Sequence, residues 1–365
     1  MSLLDRVPRY VRELIPYPPG KPIEEVEREY GIADSVKLAS NECPIGPSPK
    51  GVEAARKALS KLNIYPDGSG YYLKKHLSEK LGMSDENFIL GNGSNEIIEL
   101  IIRTFIKEGD EAVMGDPAFV VYQLITKGAG GKALAVPLLD YTHDLKAMAA
   151  AVTERTKIVF VANPNNPTGT IVDRKEMETF FEAVPDDVLM VFDEAYFEYA
   201  SGSDEYQDAM AYIESRPNVI VLRTFSKAYG LAGLRVGYGI ASPGLISMLE
   251  RVRQPFNVNS PALAAAVAAL DDEEHLNRAL EVNREGMAWL EGELEKAGFE
   301  VVKSFANFIL FDARMNAAEL YEALLRKGVI VRPMGAYGME EHIRVTVGLP
   351  EENTRFIEAL NQAAA

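Results

Sequence analysis

Cysteine is nearly missing from this sequence: Cys43 is the only one in 365 residues. No disulfide can form within the chain, and such usage fits a reducing cytoplasm. Histidine is scarce as well. His76, His143, His275 and His342 stand at no metal-ligand spacing, so no metal site is expected. Long apolar runs are also missing, and the small-residue stretch 262–270 falls short of the roughly 20 residues a membrane helix requires. The opening MSLLDRVPRYVREL carries charges where a signal peptide needs an apolar stretch. Positive charge is in deficit, with 38 Lys and Arg against 54 Asp and Glu, a net of −16. Such a surface repels phosphate backbones and anionic lipid, so neither nucleic acid nor membrane is an expected partner. An anionic small molecule would have to be drawn in by local Arg and Lys against that field. There is no internal repeat and no low-complexity tract.

What is present reads as an α/β protein of more than one unit. Residues 1–40 are Pro-rich and irregular apart from an acidic helical stretch near Ile23 to Tyr30, and they read as an arm joining a small domain. From about residue 50, helical periodicity alternates with short apolar strands. The runs KIVFVANP, VLMVFDEA and VIVLRTFS lack polar alternation. Strands of that kind are buried on both faces, in a mostly parallel central sheet covered by helices. After residue 260 a long helical stretch leads into a different, α+β pattern. The expected division is a large domain over 41–275 and a small C-terminal α+β domain over 276–365.

Polar residues gather where the apolar strands end, which is where open α/β sheets bind ligands. One strand runs into Asn163, Asn165 and Asn166, another into Asp193 and Glu194, a third into Ser226 and Lys227. If the strands are neighbours, an amide, a carboxylate and an amine face one crevice. An amine forms an imine with an aldehyde, a carboxylate keeps a pyridine nitrogen protonated, and an amide donates to a ring phenolate. Pyridoxal phosphate (PLP) needs all three. GNGSNE, which follows a strand and opens a helix, offers backbone N–H groups, the positive end of a helix, and Ser94 and Asn95 for a phosphate. Arg235, eight residues after Lys227 in a Gly-rich run, adds charge. Singly, each feature has a plainer explanation: a solvated lysine, a helix cap at Asp193, a turn at NPNNPTG. Coincidence is hard to sustain for all of them in this order.

The motifs NPNNPTG, DEAYFEY and TFSKAYGLAGLRVGY resemble those of the fold-type I PLP-dependent aminotransferases, with the aspartate-aminotransferase-like fold. PYPPGKPIEEVEREYG, KLASNECPIGPSP, YPDGSGYYLKKHLSEKLG, GNGSNEIIE and VRPM are similar to those of the histidinol-phosphate aminotransferases among them. The resemblance covers nearly the whole chain. It implies that Lys227 carries the cofactor as a Schiff base and moves the proton, that Asp193 pairs with the ring nitrogen, and that Tyr196 and Asn166 bond the phenolate oxygen. It implies Phe119 stacked on the ring, and Ser94, Asn95, Ser226, Arg235 and Thr224 around the phosphate. Tyr65 would reach the phosphate of the neighbouring subunit's cofactor, which implies a homodimer with shared sites. Arg344, Arg332, Tyr17 and Asn41 would meet the substrate. The implied reaction exchanges an amino group between histidinol phosphate and 2-oxoglutarate, as in histidine biosynthesis. Aromatic amino-acid aminotransferases share most of these motifs, and a PLP-dependent phosphothreonine decarboxylase is a more distant alternative. A PLP-sensing transcription regulator would need a DNA-binding domain for which the arm is too short. Cys43 departs from the second Asn usual in KLASNECP and reads as a small buried residue.

Overall fold

The computed structural model describes residues 2–16 and 20–363. In chain order the strands are β1 Val36–Lys37, β2 Phe88–Gly91, β3 Glu111–Asp116, β4 Lys132–Pro137, β5 Thr156–Ala162, β6 Leu189–Asp193, β7 Val219–Thr224, β8 Gly237–Ala241, β9 Glu300–Val302, β10 Phe308–Asp312, β11 Val329–Ile330, β12 Arg332–Pro333 and β13 His342–Thr346. Seven of them form the central sheet in the order β2-β8-β7-β6-β5-β3-β4. All neighbours run parallel except β8, which is antiparallel to both β2 and β7. The apolar runs fail to alternate because each face of this sheet lies under its own core. Val159, Val161, Met190, Phe192, Val219 and Val221 face one core. Ile158, Phe160, Leu189, Val191, Ile220 and Leu222 face the other.

β8 falls in the Gly-rich stretch 230–239, which carries no apolar pattern to announce a strand. Its glycines are there for contact. A Cβ on Gly237 would lie 2.5 Å from the backbone nitrogen of Ser94, so the strand passes directly beneath the start of helix Ser94–Phe105. That helix buries Ile97, Ile98, Ile101 and Ile102 on one face, and its first residues are left at the sheet edge.

A four-stranded antiparallel sheet, β12-β13-β10-β9, carries a third core with Leu290, Leu294, Phe311, Leu324 and Phe356. The single long helix expected after residue 260 is two helices, Ser260–Leu270 and Glu273–Lys296. The break at Asp271–Asp272 has a tertiary cause: Asp272 is buried and accepts the Ser48 hydroxyl at 2.6 Å. VIVRPM likewise divides. β11 pairs in parallel with β1 of the arm, while β12 joins β13. The arm itself serves two bodies. Helix Ile23–Tyr30 buries Val26 against Leu325 and Ile330, whereas Tyr10 and Leu14 lie against the end of helix Val121–Gly128 on the central sheet's side.

Candidate active site

The carboxyl ends of β5, β6 and β7 meet in a cavity of about 320 Å³. Ser94, Asn95, Phe119, Asn166, Asp193, Tyr196, Thr224, Ser226, Lys227 and Arg235 all line it. Parallel pairing brings them together: Ala162 lies across from Asp193, and Asp193 from Leu222, so β5 and β6 end level and β7 runs on two residues further to Thr224.

Asp193 is buried, and burial pushes its carboxyl up to about 6. The Tyr122 hydroxyl opposes this by donating to Oδ2 at 2.7 Å. Oδ1 has no hydrogen-bond partner among the described residues. Lys227 is half-buried, and its Nζ donates to the carbonyls of Ser40 and Asn41 at 3.2 Å each. Burial first, then the Arg344 charge, pull this amine down to about 8, so its neutral form becomes accessible as pH approaches 8. Tyr196 is pushed up to about 12 by burial and stays a phenol. It accepts from Asn41 Nδ2 at 2.8 Å, which leaves its own proton to donate. Asn41, with φ 54°, also takes the Thr346 hydroxyl at 3.1 Å.

At the other end, Gly93 (φ 80°) precedes helix Ser94–Phe105, and a Cβ there would collide with the Arg235 guanidinium. Arg235 in turn donates to Ser226 Oγ at 3.3 Å, and the Thr224 hydroxyl to the same oxygen at 3.0 Å. Helix start, guanidinium and hydroxyls thus gather N–H and O–H donors at one end of the cavity, a chemistry suited to an anion.

Arg344 is buried and donates to Asn166 Oδ1 and to the Ala39 carbonyl. Arg332 stands opposite it as its cross-strand partner. Cross-strand partners leave a sheet on the same face, so both arginines project from one side of β12 and β13.

Some expected residues go elsewhere. Tyr65 does not line the cavity; it is 79% exposed and stacks on Phe256 at 4.9 Å. Tyr17 lies outside the described residues. Glu194, grouped with Asp193 at the strand tip, does not face the cavity: Arg223 Nη2 holds it at 2.8 Å and its other oxygen accepts Ala209 N. Asn163 and Asn165 build the turn, through Val172 N and the Thr168 hydroxyl, so of the three asparagines Asn166 alone lines the cavity. Tyr122 was missed because its helical periodicity reads as core. Its one signal is a hydroxyl on that apolar face. Cys43 is half-buried with its thiol pushed up by burial, so it carries little thiolate. Among the described residues no group of His, Cys, Asp or Glu could hold a metal, and no helix is long and apolar enough to cross a membrane.

A mostly parallel sheet whose strand tips gather lysine, aspartate and asparagine beside a cluster of N–H and hydroxyl donors is the arrangement of an aminotransferase. The family model "Aminotransferase class I and II" matches residues 33–360, and the chain belongs to that family. Its relatives narrow this. Histidinol-phosphate aminotransferase of Moorella thermoacetica is 51% identical over 96% of this chain and 91% of its own. Histidinol-phosphate aminotransferase 2 of Pseudomonas aeruginosa is 50% identical over 97% and 96%. The crystal structure of histidinol-phosphate aminotransferase from Sinorhizobium meliloti in complex with pyridoxal-5'-phosphate superposes with a TM-score of 0.91 at 28% identity, covering 98% of this chain and 97% of that one. L-threonine-O-3-phosphate decarboxylase from Porphyromonas gingivalis, at 22% identity and a TM-score of 0.79, shares the fold.

Proposed function

We propose that this chain transfers the amino group of L-histidinol phosphate to 2-oxoglutarate, with pyridoxal phosphate as cofactor. The observation that carries the reading is the single cavity holding Lys227, Asp193 and Asn166, with Arg344 bonded to that same Asn166. The residues fit the cofactor. Asp193 Oδ1, buried and without a partner among the described residues, suits a ring N–H, and the Ser226–Arg235 end suits a phosphate. Lys227 would hold the aldehyde, Asn166 and Tyr196 the phenolate oxygen, and Phe119 the ring face. Ser94, Asn95, Thr224, Ser226 and Arg235 would hold the phosphate.

When bound, PLP supplies an aldehyde for the substrate amine and a protonated ring that takes up the electron pair left at Cα. The remaining work belongs to side chains. Asp193 keeps the ring nitrogen protonated. Lys227 Nζ, lowered to about 8, takes the proton from substrate Cα as a general base near its effective pH. The two hydrogens of the neutral amine go to the Ser40 and Asn41 carbonyls, so its lone pair is directed away from them. Arg344 grips the substrate's anionic end, since a guanidinium binds phosphate or carboxylate bidentately and so serves both half-reactions. Arg332 adds charge at the phosphate end, and Asn41 lies over the substrate.

A panel of amino donors with 2-oxoglutarate tests this, followed through cofactor absorbance. Histidinol phosphate should give the highest kcat/KM. A higher value for phenylalanine would turn the reading to an aromatic aminotransferase. CO2 release from phosphothreonine without 2-oxoglutarate would turn it to a lyase. In Arg344→Lys, the loss of bidentate contact should raise KM for histidinol phosphate and 2-oxoglutarate about tenfold or more, and an unchanged KM for both removes Arg344 from the substrate site.

A homodimer belongs to the same proposal, in a cytoplasmic setting. Leu59, Leu62, Ile64, Tyr65, Tyr71, Tyr72 and Phe256 are all exposed, an apolar grouping that a second copy would cover. Tyr65 would then reach the partner's cofactor phosphate. Analytical ultracentrifugation should give twice the monomer mass, and Leu62→Glu should shift the protein toward monomer with loss of activity. A fully active monomer would remove the shared site.

A further inference from the structure

Asp193 can serve a ring nitrogen only if it stays ionised and keeps one oxygen turned toward the ring. Neither condition is secure for a buried carboxylate. Burial favours the neutral acid, which cannot balance a pyridinium charge, and a carboxyl terminus rotates over a broad torsional range. Four groups bear on Asp193: Tyr122 from helix Val121–Gly128, the backbone N–H of Ala195 and the Tyr196 phenol from the segment after its own strand, and Lys227 from the segment after β7. Of these, Tyr122 alone gives it a side-chain hydrogen bond among the described residues, at 2.7 Å to Oδ2.

Tyr122 is itself fixed. Its ring lies flat on Phe160, with centroids 4.6 Å apart and planes within 4°, and the side chain is fully buried. Burial and the neighbouring Asp193 charge hold its phenol well above the ordinary range, so it remains a donor. Phe119, three residues earlier in the turn that leads into this helix, sets its ring against Tyr122 at 5.6 Å and 87°, and the Tyr122 backbone N–H donates to the Phe119 carbonyl at 3.1 Å. One phenol ring therefore touches both the carboxylate and the aromatic face that line the cavity.

We propose that Tyr122 is a positioning residue: it holds Asp193 ionised with Oδ1 turned to the cofactor's ring nitrogen, and its ring edge aligns Phe119 with the cofactor's face. This rests on the PLP reading above. A tyrosine that only fills the core would do neither, because phenylalanine would fill the same space.

The test is Tyr122→Phe, which keeps the ring on Phe160 and removes one oxygen. Parent and variant are reconstituted with PLP carrying 15N at the ring nitrogen, and its chemical shift is followed by NMR from about pH 6 to 9, the range in which a shifted carboxylate acts. The parent ring should stay protonated throughout, and the variant's should lose its proton within the range. In the variant kcat should fall about tenfold or more, the worth of a hydrogen bond to a charge, with KM for the amino donor little changed. In an Asp193→Asn background the same substitution should have no further effect on kcat. An unchanged ring-nitrogen titration in Tyr122→Phe, or kcat losses that multiply independently with Asp193→Asn, overturns the proposal. Should Tyr122→Phe not fold, Phe160→Leu, which frees the phenol from the face it lies on, should move the titration the same way by less, and no movement there counts against the role. If the parent takes up no PLP, the cofactor reading fails. If it takes up PLP and only the variant's shift is missing, the role of Tyr122 fails alone.

Discussion

Lys227→Ala is expected to abolish transamination, with kcat lower by at least about 10⁴-fold, the upper range for removing a general base. The variant should also lack the absorbance of lysine-bound cofactor while still taking up PLP, because Ser226, Arg235 and the start of helix Ser94–Phe105 are untouched. The effect is large because two properties reside in one atom. Nζ is the amine that lines the cavity opposite Asp193 and Asn166, and its affinity for protons is already lowered to about 8. No nearby group could take over. Tyr196 is held up near 12, and Asp193 is committed to Tyr122 on one side and the cavity on the other. Single-turnover absorbance with histidinol phosphate checks this. Turnover near the parent rate would remove Lys227 from the mechanism, and with it the reading of the cavity.

Arg223→Met should produce the largest loss of stability. Arg223 is among the largest fully buried side chains. It donates to Glu194 Oε2 through Nε at 3.0 Å and Nη2 at 2.8 Å, reaches Asp208 at 2.8 Å, and lies over the Phe197 ring at 3.3 Å. Removing one partner of such a pair strands the other, at a cost of about 3–5 kcal/mol. The loss should depend on pH. Burial already raises Glu194 to about 7 against the pull of Arg223, and without that cation it rises further. Across the window from the ordinary carboxyl value of 4.5 upward, the variant's folded state holds a proton that the unfolded state releases. Its stability therefore falls as pH rises, and the deficit against the parent should be larger at pH 8 than at pH 5. Urea unfolding at both values measures it, and a loss equal at the two pH values would mean that Glu194 keeps its charge unaided. Activity should suffer too, since Glu194 and Arg223 adjoin Asp193 and Thr224 and brace the tips of β6 and β7.

The strands that carry the site were legible because β5, β6 and β7 are apolar on both faces, and a run that breaks off at a polar residue marks its own end. Lys227, Asp193 and Asn166 stand at such ends. Other elements were not legible, each for a local reason. β8 is built on glycines chosen for the close approach of helix Ser94–Phe105, so it carries no apolar pattern. The helix break at Asp272 is made by Ser48, more than two hundred residues away. VIVRPM divides between two sheets because β1 of the arm pairs with its first half.

By itself the sequence determined the buried parallel strands β5, β6 and β7, their polar ends and the family resemblance, because burial on two faces and the punctuation of a strand are properties of consecutive residues. Only the tertiary structure decided which polar residues serve the cavity. Asp193 and Glu194 are chemically alike and adjacent, yet successive side chains at a strand tip leave in different directions, and one meets Tyr122 and the cavity while the other meets Arg223. The same holds for Asn166 against Asn163 and Asn165, and for Tyr122, whose role depends on a hydrogen bond to a residue 71 positions away.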